Sequence, residues 1–374
     1  MESFYQFLMK YDEKWCNTMG FFNPYIDPFD ISFSRKVPMF DKKAYNQNPH
    51  YNFVYDKLWV TKSQNVPCGR IENIKKDDNI NYPIFIKPRW GHKSASSKNC
   101  FKVKNYEQLQ KYKHLPDMMW SEFVNGKETM TDYILLHGEV IYEITYEYSE
   151  DQYVFTEKWK YISPENKGNK IIENWISTYM QGYSGAVNVQ YRNDIIIEVS
   201  LRLARGGAYI QSTNNNKITE LINDIYDNEM YVPLKKEEYN FNPFYSLKSF
   251  TQFPIFYIFP QYIIDIIMTI FGCKAFYEYY MEPNGNDGIV FFQFLHENFI
   301  LGSMCNFVLV YSMLLAQIFF VLIGIYIVYY IYKERKLPYI ITSLTLLLYL
   351  TQYLNPISVH YNWYKARKQK TSWF

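Results

Sequence analysis

Hydrophobic and polar positions along this chain fall into three regimes. Residues 1–50 are aromatic-rich but aperiodic, broken by Asn23-Pro24, Asp27-Pro28 and Asn48-Pro49. From Tyr51 the pattern becomes regular. Val54 to Val60 spaces its apolar residues as a helix face, ending before the turn Val66-Pro67-Cys68-Gly69. Strand patterns follow over 82–86 and 100–103, and Asn105 is suited to cap a helix from Tyr106 to Tyr112. Further strands are expected at 118–124, 127–136, 139–148 and 152–160, separated by Asn125-Gly126 and His137-Gly138. After a polar loop at 163–170 and a helix near 171–181, runs 186–191 and 195–199 read as a hairpin turning on Arg192-Asn193-Asp194. Asn214–Asn216 then cap a helix from Lys217 to about Asn228. Meandering strands with interspersed helices make this an α+β unit whose sheet can cover one side of a ligand.

The third regime is apolar. No Asp, Glu, Lys or Arg occurs between 298 and 332, and a second uncharged run extends from Leu337 to about Pro356. A membrane-crossing helix needs about 20 such residues, so segments at about 305–332 and 337–356 are expected as a transmembrane hairpin. A basic cluster, 333–336, separates them, and a basic tail, 365–370, follows Trp363 and Tyr364. The segment 253–272 is apolar but holds Pro254, Pro260 and Asp265; it can be a third span, but reads first as an interfacial or re-entrant piece. The loop 283–288, Pro-Asn-Gly-Asn-Asp-Gly, is expected to face solvent. The expected organisation is an irregular or truncated region at 1–51, an α+β domain at 52–228, a linker at 229–300, and transmembrane helices with a basic tail at 301–374.

Composition changes this picture little. With 39 basic and 37 acidic residues among 374, no global charge points to nucleic acid. Five cysteines without a CxxC spacing argue against a disulfide framework or a zinc site and fit a reducing compartment. The N-terminus carries Glu2, Lys10, Asp12 and Glu13 around no apolar core, so no signal peptide is expected.

Candidate chemistry concentrates on the hairpin. Glu198, Ser200 and Arg202 alternate with Val199 and Leu201, so a two-residue period puts them on one face, with Gln190 of the partner strand near them. A carboxylate, an amide oxygen, a hydroxyl and a guanidinium together offer hard-oxygen ligands for Mg²⁺ and a fork for phosphate. An ordinary half-exposed hairpin accounts for the same residues. Upstream, Lys87-Pro88-Arg89-Trp90 leads into the small, basic, hydroxyl-rich loop 91–99, which can fold over polyphosphate. Neither a GxxxxGK[ST] loop nor a GxGxxG before a helix is present. Lys57 is a candidate phosphate ligand or a solvated helix lysine.

In order, Asp56-Lys57 before Val66-Pro67, then Ile84-Phe85-Ile86-Lys87-Pro88 with the Ser-rich loop, then Ser121-Glu122-Phe123-Val124-Asn125-Gly126-Lys127-Glu128, and finally Asn188-Val189-Gln190 with Glu198-Val199-Ser200-Leu201-Arg202 and Arg205 resemble an ATP-grasp domain over roughly 52–228. The last motif is similar to the carbamoyl-phosphate-synthetase branch, with its NVQ followed by ExNxRxxR. The resemblance implies two α+β subdomains clamping ATP. It implies that Lys57 and Lys87 contact the α- and β-phosphates and that the loop with Ser94, Ser96 and Ser97 closes over the β- and γ-phosphates. Glu122 with the backbone of Phe123 and Val124 would hold adenine, and Glu128 the ribose. Gln190, Glu198 and Ser200 would hold Mg²⁺ (or Mn²⁺), and Arg202, Arg205 and Lys87 would stabilise the transferring phosphoryl group and an acyl-phosphate.

Two positions depart from the family pattern: Gln190 stands at the first metal position and Ser200 at the usual Asn, leaving Glu198 as the acidic ligand. The N-terminal 50 residues are short for the family's preceding subdomain. The expected activity is a membrane-anchored, ATP-dependent carboxylate–amine (or carboxylate–thiol) ligase working through an acyl-phosphate, its ATP-binding part facing the cytosol. Its partners would be a carboxylate substrate, an amine acceptor and the membrane, with no nucleic acid. The alternative is a catalytically degenerate nucleotide-binding or protein-interaction module on a membrane. A transporter or channel is disfavoured by the lack of charge between 298 and 332.

Overall fold

The computed structural model describes residues 33–93, 99–148, 156–162, 169–204, 210, 215–233, 235–239, 245–251, 261–276, 280–281 and 289–333. They divide between two compact units, one within 29–151 and 159–243 and the other within 152–158 and 244–372.

The first unit contains two antiparallel sheets. In the smaller, β1 (Cys68–Arg70), β4 (Met118–Glu122), β2 (Ile84–Pro88) and β3 (Phe101–Val103) lie side by side in that order. Ile84, Ile86, Val103 and Met118 bury one face together with Ile71, Ile74 and Leu109, the last from helix Tyr106–Gln110. That helix begins as expected: Asn105 accepts a hydrogen bond from the Gln108 amide. The segment read as a turn at 66–69 enters β1 at Cys68, whose register partner is Ser121.

In the larger sheet β5 (Glu128–Leu136) pairs with β6 (Glu139–Tyr148) on one side and with β8 (Gly185–Arg192) on the other. Strand β7 (Thr156–Ile162) pairs with β6, and β9 (Ile195–Ser200) with β8. Alternation sorts the side chains. Tyr133 and Leu135 of β5, Val187, Val189 and Tyr191 of β8, and Ile196 and Val199 of β9 form one core with Ile172, Trp175 and Ile176 from helix Lys170–Tyr179. The residues between them point to the opposite face, which carries the candidate chemistry.

The helix expected over 54–60 is divided. Pro49–Tyr55 is a 3₁₀ helix, and α2 (Lys57–Lys62) starts afresh after Asp56. Asp56 caps α2 by accepting from the Leu58 amide at 3.1 Å while it binds Arg89 through two N–H groups. Periodicity alone carries no mark of that break. Ahead of it, where the sequence reads as irregular, α1 (Asp41–Gln47) forms and buries Ala44 in the same core as Tyr55 and Val60. Helix Asn216–Asn228 is capped by Asn215, and the Tyr226 hydroxyl oxygen accepts a hydrogen bond from the Ala186 amide at 2.8 Å.

In the second unit, Tyr245–Thr251 and Lys274–Phe276 pair antiparallel with Ile289–His296. Within the apolar segment 253–272, residues Gln261–Phe271 are helical. Eleven residues span about 16 Å, short of the roughly 30 Å hydrocarbon core. Phe299–Lys333 forms one helix of 35 residues. Counted over the residues whose side chains the structure describes, no helix supplies a stretch long and apolar enough to cross a membrane. The transmembrane hairpin is therefore not shown, and its second segment, 337–356, lies outside the described residues together with the basic tail and the loops 163–168 and 283–288.

Candidate functional site

The β8–β9 hairpin turns on two residues, Asn193 and Asp194, with Asn193 at φ 50°. Gln190 stands directly opposite Glu198, and Asn188 opposite Ser200. The ladder then slips. Tyr191 pairs with Ile196, so Ile197 is an extra residue on β9. Such a bulge leaves the inserted residue's peptide groups out of the ladder, and the Ile197 carbonyl accepts a hydrogen bond from Lys87 Nζ at 2.7 Å. Without the bulge the period could not put both Ile196 and Val199 into the core and still turn Glu198 to the other face.

Lys57, the first residue of α2, lies 3.3 Å from Glu198, with Lys57 Nζ opposite Glu198 Oε2. Lys57 and Lys87 are both buried, at 5% and 6% exposure. Burial, and then the neighbouring Lys57 charge, lower the Lys87 pKa to about 8. Gly91 opens the 91–99 loop against this pair: a Cβ there would lie 3.5 Å from Lys57 Cε and 3.6 Å from Glu198 Oε1. A cation-rich cluster, Lys57 and Lys87 beside Glu198 and Gln190, is thus set by Gly91, where the loop begins. It is suited to an anion whose charge the two lysines offset.

The remaining expected residues are placed unevenly. Glu128 lies on the same face, and its Oε2 accepts from Arg192 Nη2 at 2.9 Å and Nε at 3.3 Å. Burial raises the Glu128 pKa and Arg192 opposes the rise. Glu122 is exposed at the end of β4, and its amide donates to Pro67 O at 2.9 Å. The Phe123 ring has Lys102 Nζ 3.8 Å above it, while the Val124 carbonyl accepts from Arg192 at 3.4 Å. Arg202 falls beyond the end of β9, its Nη2 bonded to Asp41 Oδ2 at 2.8 Å. Ser94, Ser96, Ser97 and Arg205 lie outside the described residues.

Several residues escape a reading of the sequence alone. Asp132, fully buried on the site face, accepts from the Ala204 amide at 2.9 and 3.1 Å and from Asn188 Nδ2 at 2.8 Å. Burial pushes its carboxyl up to about 7 against the lowering by these donors. Its shared parity with Glu128 was the available signal. Cys100 is held among Lys57, Glu198 and Lys87, and burial raises its thiol pKa. Asp41 and Arg192 had no local signal, since each acts through a partner 161 or 64 residues away.

Among the described residues no group of three or more His, Cys, Asp or Glu is placed to hold a metal ion. Glu198, Gln190 and Ser200 carry oxygens of the chemical kind that Mg²⁺ takes, an ion that binds through one or two carboxylates and draws much of its shell from water and substrate phosphates.

No protein-family model and no curated protein matches the sequence. Solved structures do resemble the fold. An L-amino acid ligase from Bacillus licheniformis is 14% identical, with a TM-score of 0.45 and 69% of each chain covered. A carboxyaminoimidazole ribonucleotide synthase from Aspergillus clavatus, solved with ATP, is 10% identical, with a TM-score of 0.48 and coverage of 69% of this chain and 72% of that one. A biotin carboxylase from Campylobacter jejuni is 14% identical at a TM-score of 0.41, covering 65% and 62%. These likenesses concern the α+β fold and transfer no residue role to this chain.

Proposed function

We propose that this protein is an ATP-dependent ligase that activates a carboxylate as its acyl-phosphate and passes the acyl group to an amine or thiol. The observation that carries the reading is the cluster in which buried Lys57 and Lys87 meet the Glu198–Gln190 pair beside Gly91. Lys57 and Lys87 bind the phosphates and offset their charge. Glu128 and the 122–124 strand end take the nucleoside. Glu198, with Gln190 and Ser200, would hold Mg²⁺, which would supply charge neutralisation at the phosphates. A substrate carboxylate oxygen attacks the γ-phosphorus, and the bond to the ADP oxygen breaks. Arg202 and Arg205 orient the equatorial oxygens and then the acyl-phosphate. The acceptor nitrogen or sulfur attacks the acyl carbon, phosphate leaves, and the acceptor loses a proton. Positioning and charge neutralisation carry nearly all of such a reaction.

The test is ADP release by the full chain with Mg²⁺ and pools of amino acids and other carboxylates, with hydroxylamine trapping the acyl-phosphate as a hydroxamate. Carboxylate-dependent ADP and hydroxamate, both lost in Glu198→Gln, support the reading. ATP binding with neither product sinks the ligase and leaves a degenerate nucleotide-binding module. One observation favours that second reading: the acid available to the metal, Glu198, already has Lys57 as its partner.

We also propose that the C-terminal part attaches the protein to a membrane, with the ATP site on the cytosolic side. Support comes from the 35-residue helix Phe299–Lys333, about 52 Å long, and from its exposed Phe307, Leu315, Ile318, Phe319, Leu322 and Ile325. Release of the chain from membranes by alkaline carbonate would refute the integral attachment.

A further inference from the structure

The segment before the two sheets offers the sequence reader no site, yet it ends in a closed ring of contacts around Arg202. Asp41, the first residue of α1, accepts from Arg202 Nη2 at 2.8 Å through Oδ2 and from the Tyr55 hydroxyl at 3.3 Å through Oδ1. The same Tyr55 oxygen accepts the backbone N–H of Leu201 at 3.1 Å. The residue beside Arg202 and the head of Arg202 are therefore tied to one carboxylate by two routes. Arg202 Nη1 also donates to its neighbour's carbonyl, Leu203 O, at 3.0 Å.

We infer that Asp41 is the positioning residue for Arg202, fixing both the strand end that carries it and the direction of its guanidinium. The inference rests on the role proposed above for Arg202. A guanidinium has five N–H groups in a rigid fork. Two are committed to Asp41 and Leu203, and the fork's orientation is set by that pairing, so the other donors are aimed before any substrate arrives. An arginine on a bare strand end would have to lose side-chain entropy in each turnover, whereas this one has lost it on folding. Burial of the guanidinium disfavours its charge, and the Asp41 carboxylate more than offsets that. A plain structural salt bridge would serve only to hold α1 in place. That role is already filled one turn along the same face of the helix, where Tyr45 stacks on His92 at 3.9 Å and Ala44 is buried.

The experiment compares the full-length wild type with Asp41→Asn and Asp41→Glu. Arg202 labelling by phenylglyoxal, read by peptide mass spectrometry, reports the hold on the guanidinium without needing turnover. Labelling is expected to rise several-fold in Asp41→Asn and to return towards the wild-type rate in Asp41→Glu. With a carboxylate substrate in hand, Asp41→Asn should lower kcat by about 10- to 100-fold while the KM for ATP moves by less than about twofold. Equal labelling in wild type and Asp41→Asn overturns the inference, as does a loss of activity that follows melting temperature alone and is not restored by Glu. If no carboxylate supports turnover in the wild type, the ligase reading fails, while the labelling still decides whether Asp41 aims Arg202.

Discussion

Lys87 Nζ donates at 2.7 Å to the carbonyl of Ile197, the one residue that β9 bulges out of its ladder with β8. The bulge does two jobs: it turns Glu198 to the site face, and it supplies a neutral acceptor that holds a buried lysine without cancelling its charge. The Lys87 pKa of about 8 follows from burial and from Lys57. Phosphate binding favours the charged form, so nucleotide affinity should fall as pH rises through about 8, with proton uptake on binding near that pH. Without nucleotide the sign reverses for stability: the folded state holds this proton less well than the unfolded chain, so the group's contribution improves above about 8. Calorimetric titration in buffers of different ionisation enthalpy checks the uptake, and Lys87→Arg should abolish it.

Glu198 and Lys57 depend on one another. Glu198→Gln removes the carboxylate that lies 3.3 Å from the buried Lys57 ammonium. Breaking this pair should cost roughly 1.5–3 kcal/mol of stability, the range for a hydrogen bond to a charged group. Urea denaturation of the full chain measures it. The same variant should lose any Mg²⁺ dependence of nucleotide binding, and an unchanged dependence would remove Glu198 from the metal set.

Gly126 is required by geometry rather than chemistry. It sits at φ 108°, and a Cβ there would stand 2.5 Å from Asn193 Oδ1. Gly126→Ala should destabilise the chain by roughly 1–3 kcal/mol through backbone strain and displacement of Asn193. Pairing it with Asn193→Ala should recover the displaced-neighbour part but not the strain, which a double-mutant cycle separates.

Asp132 links the sheet to the segment that carries Arg202. Its carboxyl, pushed up to about 7 by burial, retains a proton that the unfolded chain releases near the ordinary value of 3.8. The group's stability contribution therefore declines as pH rises from about 4 to 7. Asp132→Asn should flatten that slope in denaturation curves taken across the interval. It should also loosen 201–204, because an amide turns donors towards Asn188 and the Ala204 amide, lowering any ligase kcat more than the KM for ATP.

Much of the strand order was legible in the sequence because alternation and turn residues are local signals. His137-Gly138 and Asn193-Asp194 mark the hairpins, Asn125-Gly126 marks the passage from one sheet to the other, and Glu139–Tyr148 matches its expected span. The face shared by Glu198 and Ser200 follows from a two-residue period, and Gln190 is opposite Glu198 as two strands of that hairpin require. Less was legible near 54–60, where one helix face is divided at Asp56 because its carboxylate caps α2 and binds Arg89 from across the fold.

What the sequence by itself determined is most of the elements between 82 and 228 and the residue types on the hairpin's polar face, since propensity and period act over a few residues. Tertiary structure alone decided which charges meet. Asp41 reaches Arg202, Arg192 reaches Glu128, Lys57 reaches Glu198, and Lys87 finds a carbonyl rather than an acid. A charge buried in a low-dielectric interior must find a partner or be neutralised, an ammonium by losing a proton and a carboxylate by gaining one. The partner is chosen by chain crossings that bring together residues 161, 64 and 110 apart, a choice that no local pattern encodes.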